Sequence, residues 1–247
     1  MTRHVLIGLA YSPWTERARW ALDHHGIPHA FESYLPVVGE PALRLRARRL
    51  TGRVSVPVLL GPGGPVWDSR GIAEHADRTG RGDPLCAGHE RALDAWMPGI
   101  EGALDAARSL VLRAIEASPL ASAESVPLPM PRALKGPTAR FGTAVLRWKY
   151  GSTEPDADAE ARVAALLDRA RDAVRPGYVD GTFSLVDIAL AGVVQAIQPV
   201  AERFLPLGPG TRAAWTRPAL AERFAEVIAW RDSLYERHRR AAGAAAP

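Results

Sequence analysis

Ser12 stands where a hydroxyl group could bind an anion. The apolar run Val5–Leu9 predicts a buried strand, and Pro13 is typical of the first position of a helix. A hydroxyl between a strand end and a helix start lies beside the unpaired N–H groups of the first helical turn, where anions bind. The alternative is that Ser12 only caps its helix, the more common role of such a serine. No Gly-x-Ser-x-Gly motif surrounds it, which disfavours a hydrolase nucleophile.

A second feature is the Val56-Pro57 pair inside the apolar run Val54–Leu60. Proline donates no hydrogen bond to a strand ladder. It therefore fits a sheet edge, the first position of a strand, or a cis bond beside a site. From the residues alone, a trans proline at an edge is the more ordinary interpretation.

Two further pairs of residues have the spacing of helix caps. Asp68 and Ser69 precede a predicted helix, and either could cap it. Ser184 and Asp187 have capping-box spacing, which we interpret as purely structural.

The pattern of elements changes along the chain. The first part alternates strand and helix signals, with strands predicted at 5–9, 29–34, 54–60 and 66–67 and helices at 13–26, 41–50 and 69–77. A strand–helix–strand unit implies parallel strands and a two-strand turn an antiparallel pair, so we predict a small mixed sheet. The glycine-rich segment 79–84 predicts a boundary between a domain over 1–80 and an all-helical domain over 87–247.

The second part is predicted to hold helices at 89–115, 141–150, 157–174, 184–197 and 218–240. The segment 118–137, rich in Pro, Ser and Ala, is predicted to be an irregular loop, typical of a lid or a disordered segment.

Composition excludes several classes of protein. With 247 residues, 23% charged and 47% hydrophobic, the chain is an ordinary globular protein. The single cysteine, Cys86, excludes an intramolecular disulfide and a cysteine-rich zinc site, and we expect no metal. The net charge of +4 is concentrated between Glu40 and Arg53, without the aromatic context of a nucleic-acid-binding face, so an anionic small ligand is the better expectation there. No signal peptide or apolar run of about 20 residues is present, which predicts a cytoplasmic location and no membrane association.

Together, these motifs resemble the cytosolic glutathione S-transferase family over nearly the whole chain. The strongest part is the segment 11–22, beginning Tyr11-Ser12-Pro13-Trp14, which is similar to the serine-type, tau-like and zeta-like members. The arginine-rich composition suggests a bacterial source. The resemblance implies a thioredoxin-like α/β N-terminal domain, an all-α C-terminal domain and a glutathione site in the cleft between them.

The resemblance also implies roles for five residues. Ser12 would donate a hydrogen bond to the glutathione sulfur, so that the thiol reacts as a thiolate. The Val56 backbone would pair with the cysteinyl residue of glutathione, and Pro57 would be a cis-proline. Asp68 and Ser69 would hold the γ-glutamyl end, its carboxylate resting on the start of the third helix.

Some positions leave alternatives open. Tyr11 is a rival donor, because other classes of the family use a tyrosine at the end of the first strand. Arg17 matches the motif arginine and is interpreted as structural. Ser55 stands where many serine-type members carry a lysine, so a carboxylate contact is either lost or supplied by Arg49 or Arg53.

The activity implied by the resemblance is transfer of an alkyl or aryl group to the thiol of glutathione, typical of detoxification, by a homodimer. Within enzymes, a glutathione-dependent isomerase, lyase or dehalogenase would use the same thiolate, and another low-molecular-weight thiol could replace glutathione. From another class, a non-catalytic member could bind a ligand or a protein. The second substrate would be a hydrophobic electrophile held against the helical domain. Its candidate contacts, which could equally be core, are Trp96, Met97, Phe141, Trp148 and Tyr150.

Overall fold

The computed structural model describes residues 4–35, 39–52, 54–124, 138, 144 and 154–239. The strands of this part are β1 His4–Gly8, β2 His29–Ser33, β3 Val58–Gly61 and β4 Gly64–Trp67. Its helices are α1 Pro13–His24, α2 Glu40–Arg46, α3 Ser69–Thr79, α4 Glu90–Ala117, α5 Pro119–Glu124, α6 Asp156–Ala173, α7 Leu185–Val194, α8 Pro209–Trp215, α9 Pro218–Arg223 and α10 Ala225–His238.

The four strands form one mixed sheet in the order β2-β1-β3-β4. β1 pairs parallel with β2 and antiparallel with β3, and β3 pairs antiparallel with β4. A strand alternates its side chains between two faces. Leu6 and Leu59 therefore join the core beneath α1 and α3, whereas Ile7 and Val58 pack with Leu43 of α2 on the other face. The predicted mixed sheet and thioredoxin-like α/β arrangement are confirmed.

After β4 the regular elements of the described chain are all helices, as predicted, apart from an isolated β-bridge between Asp180 and Thr182. α4, the longest helix with 28 residues, contacts α6 and α7, and α7 also contacts α1. Every residue of α7 is buried, which explains its uniformly apolar sequence. One continuous cluster of buried residues connects α1 and α3 with these helices. Within the described residues, none of the helices combines the length and the apolar character needed to cross a membrane.

The predicted capping box at the start of α7 is confirmed. Asp187 Oδ2 accepts the backbone N–H of Ser184 at 2.9 Å, and Asp187 Oδ1 accepts that of Val179 at 2.8 Å. Burial raises the pKa of Asp187, and these hydrogen bonds oppose the shift. This carboxylate thus fixes both the start of α7 and the loop before it.

The segment 118–137 differs from the prediction, because residues 119–124 form helix α5. The Ser118 hydroxyl accepts the N–H of Ala121 at 3.2 Å, which starts this helix. The Glu124 carboxylate then accepts the N–H groups of Gly210 and Thr211 at 3.1 and 2.7 Å. Those two residues lie in the first turn of α8, a helix that the sequence analysis missed. The predicted lid role of 125–137 falls outside the described residues.

Two other predicted helices are not found as single described elements. The helix predicted over 218–240 is wrong as a single element, because it divides into α9 and α10 at Phe224, which is fully buried with φ −114° and ψ 29°. The helix predicted over 141–150 lies outside the described residues except for residue 144, which is helical.

Candidate functional site

The register of the sheet brings three predicted site segments to one end. Ile7, near the end of β1, pairs with Val58, the first residue of β3. Val58 pairs in turn with Trp67, the last residue of β4. The chain after β1, the chain before β3 and the chain after β4 therefore meet at the same end of the sheet. These segments are 9–12, 56–57 and 68–69.

Two helices begin at this end of the sheet, α1 at Pro13 and α3 at Ser69. The first turns of both helices direct unpaired N–H groups and a partial positive charge towards it. A close contact supports the turn into α1, because a Cβ on Gly8 would lie 2.5 Å from the Thr15 side chain. Thr15 Oγ1 also accepts the N–H of Leu9 at 3.2 Å. The strand end and the helix start are thus held together, in a position suited to an anion.

Ser12 is the N-cap residue of α1, with extended backbone angles of φ −75° and ψ 129°. Within the described chain its side chain makes no capping hydrogen bond, so the capping interpretation is wrong. The residue is half-buried. Its hydroxyl is therefore available to form a hydrogen bond with a ligand.

Tyr11, the rival donor, stands directly before Ser12. It is 39% exposed, and its ring lies edge-on to Trp215 of α8, with 6.5 Å between ring centroids. Although the side chain is partly exposed, desolvation of the hydroxyl raises the pKa of Tyr11 further above neutrality. Both hydroxyl candidates therefore occupy one corner of the fold.

The Val56–Pro57 peptide bond is cis, as the resemblance implies. Pro57 is buried and Val56 is half-buried. Val56 precedes the strand ladder, since Val58 is the first paired residue of β3.

Asp68 and Ser69 differ in their roles at the start of α3. Asp68 has a left-handed φ of 55°, and its Oδ1 accepts the N–H of Gly71 at 2.7 Å, which confirms the capping interpretation for Asp68. Such a backbone conformation costs on the order of 1–3 kcal/mol in a residue other than glycine, and it is typical of ligand sites. Ser69 is only 3% exposed, and its Oγ accepts a hydrogen bond from Arg17 Nη1 at 3.3 Å.

Glu101 of α4 is a site residue that the sequence analysis missed. Its Oε1 accepts a hydrogen bond from Arg17 Nη1, and its Oε2 accepts one from Trp14 Nε1, each at 2.6 Å. Arg17 is buried, so this contact ties α1 to the helical part beside Ser69. Trp14 and Arg17 share one face of α1, but their common partner lies more than 80 residues away, and no local signal reveals it.

Two of the five arginines between Glu40 and Arg53 form ion pairs within the fold. Arg44 Nη2 pairs with Glu40 Oε1 at 2.8 Å, and Arg46 Nη1 pairs with Glu32 Oε2 at 2.5 Å. The predicted anion-binding role for these two is therefore weakened.

Arg49 is exposed and its guanidinium lies 4.9 Å from the ring centroid of Trp67, the residue before Asp68. It remains a candidate for a ligand carboxylate. Arg53 lies outside the described residues.

None of the five candidate contacts for the second substrate is found on an exposed surface of the described residues. Trp96 and Met97 are 8% and 7% exposed members of the core, as their core interpretation predicts, whereas Phe141, Trp148 and Tyr150 lie outside the described residues. An apolar cluster near Tyr11 was missed. It consists of Val111, Ile115, Ala121 and Trp215, with Leu205, Leu207 and Ala214 packed against it.

Other chemistries find no support among the described residues. No group of three or more His, Cys, Asp or Glu side chains there could hold a metal ion. Burial, with Asp77 and Glu74 nearby, raises the pKa of Cys86 to about 12, which makes this thiol a poor nucleophile.

Residues 11–79 match the family model described as glutathione S-transferase, N-terminal domain. Similar solved structures include maize glutathione S-transferase I in complex with an atrazine glutathione conjugate, at 20% identity and TM-score 0.58, covering 95% of this chain and 93% of that chain. A glutathione S-transferase from Methylobacillus flagellatus with glutathione bound is 16% identical, with TM-score 0.58 and 95% of both chains covered. Glutathione transferase GSTFuA2 from Phanerochaete chrysosporium is 14% identical, with TM-score 0.61, covering 98% of this chain and all 100% of that chain. No curated protein matches the sequence at a significant level. The fold is thus the glutathione S-transferase fold, and the family model supports that family for the N-terminal part.

Proposed function

We propose that this protein is a glutathione transferase-like enzyme that activates the glutathione thiol as a thiolate for attack on a hydrophobic electrophile. One observation carries the proposal: the sheet register brings Ser12, Val56-Pro57 and Asp68-Ser69 to one end, where two helices begin. That end lies within the part of the chain that matches the family model.

Ser12 is the proposed donor to the sulfur, because its hydroxyl is not used as a cap. A free thiol titrates near 8.5, and bringing it to about 6.5 requires roughly 2.7 kcal/mol. A hydrogen bond to a charged group contributes about 1.5–3 kcal/mol. A helix N-terminus contributes about 0.3–1 kcal/mol more. These two contributions suffice without a general base.

The rest of glutathione is proposed to bind along the same end of the sheet. The backbone of Val56, which precedes the β3 ladder, would pair with the cysteinyl residue. Asp68 would attract the ammonium group of the γ-glutamyl end. The α-carboxylate of the γ-glutamyl residue would accept hydrogen bonds from Ser69 and from the first-turn N–H groups of α3.

In the proposed reaction the thiolate attacks an electrophilic carbon, a C–S bond forms, and the leaving group departs with the electron pair of its bond. Tyr11 and Trp215 would form one wall for the electrophile, since their rings meet beside Ser12. A glutathione-dependent isomerase, lyase or dehalogenase would share the first step. The proposal includes a homodimer and a location in the cytoplasm, where thiols are kept reduced.

The proposal is tested by initial rates of conjugation of glutathione to 1-chloro-2,4-dinitrobenzene for the wild type, Ser12→Ala and Tyr11→Phe. The expected result is a loss of about tenfold to a hundredfold in kcat/KM for Ser12→Ala. Tyr11→Phe removes the neighbouring hydroxyl as a matched control and should retain activity within about twofold. A loss confined to Tyr11→Phe would transfer the role to Tyr11, and glutathione binding without any turnover would favour a binding module.

A further inference from the structure

We infer that Arg17 is a positioning residue for a ligand carboxylate at the N-terminus of α3, because it holds the Ser69 hydroxyl as a hydrogen-bond donor. This inference rests on the proposed function. It gives a role to a buried cation that thiol activation does not use, and it makes the α3 end of the site specific for an α-amino acid group.

The Arg17 guanidinium is buried but only partly paired. The residue is 2% exposed, and Nη1 makes both hydrogen bonds, to Ser69 Oγ at 3.3 Å and to Glu101 Oε1 at 2.6 Å. Nε and Nη2 have no partner among the described residues. Buried donors without partners are costly, so stabilisation of the fold alone is a poor reason for this arrangement.

The contact between Arg17 and Ser69 limits the role of the Ser69 hydroxyl. A serine hydroxyl has one donor and two acceptor positions. The Arg17 N–H occupies an acceptor position of Ser69 Oγ, so the hydroxyl hydrogen is not used in this contact and can be donated to a ligand. Ser69 is also the first residue of α3, whose 11 residues place unpaired N–H groups at the same point.

The charges at this helix end suit a ligand that carries both signs. Arg17 contributes a positive charge behind Ser69, while Asp68 contributes a carboxylate whose Oδ1 is used by Gly71 N–H. A carboxylate would bind at Ser69 and an ammonium group at Asp68. A carbon atom bearing both groups, as at the γ-glutamyl end of glutathione, satisfies the two residues together.

Glu101 keeps Arg17 in place from the opposite side. Its two oxygens accept one hydrogen bond from Arg17 and one from Trp14, both residues of α1. The guanidinium is therefore fixed between α3 and α4. It cannot move to make a new contact when the ligand lacks the carboxylate.

The test measures binding of two ligands by isothermal titration calorimetry. One is glutathione, and the other is 4-aminobutyryl-cysteinylglycine, which is glutathione without the α-carboxylate of the γ-glutamyl residue. The proteins are the wild type, Arg17→Lys, Ser69→Ala and the double variant. Arg19→Lys is the matched control, because Arg19 lies on the same helix but stacks on Phe31, 4.3 Å from the ring centroid.

Arg17→Lys keeps the charge but loses the geometry that reaches Ser69 and Glu101 together. The expected result is a Kd for glutathione raised about tenfold, equal to about 1.4 kcal/mol, with the Kd of the shortened ligand changed less than about twofold. In the Ser69→Ala background, Arg17→Lys should add less than about twofold. Equal weakening of both ligands, or additive effects in the double variant, would overturn the inference.

A melting curve first establishes that Arg17→Lys is folded. If it is not, Glu101→Gln replaces it, since the Glu101 side chain is 39% exposed and the amide keeps one acceptor oxygen. Glu101→Gln should weaken glutathione about threefold when Ser69 is present and leave binding unchanged in Ser69→Ala. The same loss in both backgrounds would overturn the inference. A wild type that binds neither ligand would overturn the proposed function, and the inference with it.

Discussion

The Asp77 side chain binds the backbone of the segment between α3 and α4, and replacing Asp77 should destabilise the protein strongly. Its side chain is 7% exposed and accepts the backbone N–H groups of Leu85, Cys86 and Ala87 at 3.0, 2.8 and 3.1 Å, as well as a hydrogen bond from His25 at 2.8 Å. Burial opposes ionisation, but these donors outweigh it and lower the pKa of Asp77, so the carboxylate is charged at neutral pH.

The isosteric variant Asp77→Asn allows the cost to be estimated. Each Asp77 oxygen accepts two hydrogen bonds. The less costly amide orientation places the NH₂ group at the Oδ1 position, because the neutral His25 ring can accept a hydrogen bond there in its other tautomer, and only the Leu85 N–H loses its acceptor. Losing that charge-assisted bond at about 1.5 kcal/mol, and the charge assistance of the bonds from Cys86 and Ala87 at about 0.75 kcal/mol each, predicts a loss of about 3 kcal/mol in the free energy of unfolding. Asp77 is eight residues from Ser69 along α3, about 12 Å at 1.5 Å per residue, so glutathione affinity should change less than about twofold.

Urea unfolding followed by circular dichroism measures this loss, with Asp83→Asn as the matched control. Asp83 is an exposed acid of the same connection. Its backbone carbonyl lies 2.9 Å from His24 Nε2, and its carboxylate forms no hydrogen bond with the described residues. Asp83→Asn should lie within about 0.5 kcal/mol of the wild type. A loss below about 1 kcal/mol for Asp77→Asn, at an unchanged m-value, would refute the reasoning.

Three further predictions concern stability. Burial and the adjacent His24 lower the pKa of His25 despite Asp77, so the unfolded chain binds a proton before the folded protein does as the pH falls through about 6.5. The free energy of unfolding should therefore decrease from pH 7.5 to 5.5, and it should decrease less steeply in His25→Gln. An equal slope in the two proteins would contradict this origin. Asp187→Ala removes acceptors from the start of α7 and should cost about 3 kcal/mol in urea unfolding; a cost under about 1 kcal/mol would mean that the capping box contributes little. Gly8→Ala places a Cβ against Thr15 and should cost about 2 kcal/mol, part of which Thr15→Ala should restore in a thermal melt; no recovery would show that another contact is responsible.

The N-terminal elements were predictable because their signals are local. Alternation of apolar runs, the proline at the start of α1 and the turn at residues 61–65 suffice to predict the mixed sheet. The position of β1 between β2 and β3 was not predicted. The segment 79–84, predicted as a linker, is more tightly held than its glycine-rich composition indicates. A Cβ on Gly80 would collide with His25, and the N–H of Arg81 donates to the His25 carbonyl at 3.1 Å.

Two of the errors have the same physical cause, which is dependence on distant partners. Helix α8 begins where Glu124 meets Gly210, 86 residues along the chain, and no pattern in its seven residues indicates this. At the site, whether the Ser12 hydroxyl caps its helix depends on the local backbone geometry, which the residue type does not determine. Arg17 was interpreted as structural because its contacts with Ser69 and Glu101 arise only when three helices are assembled.

The central claim is that Ser12 and the start of α1 stabilise a thiolate. The most direct measurement is a pH titration of protein-bound glutathione, followed by thiolate absorbance. The account predicts that the signal saturates near neutral pH, with an apparent thiol pKa about two units below the value of about 8.5 for a free thiol, and that Ser12→Ala restores most of that difference. Bound glutathione that titrates like the free thiol, in both proteins, would contradict it.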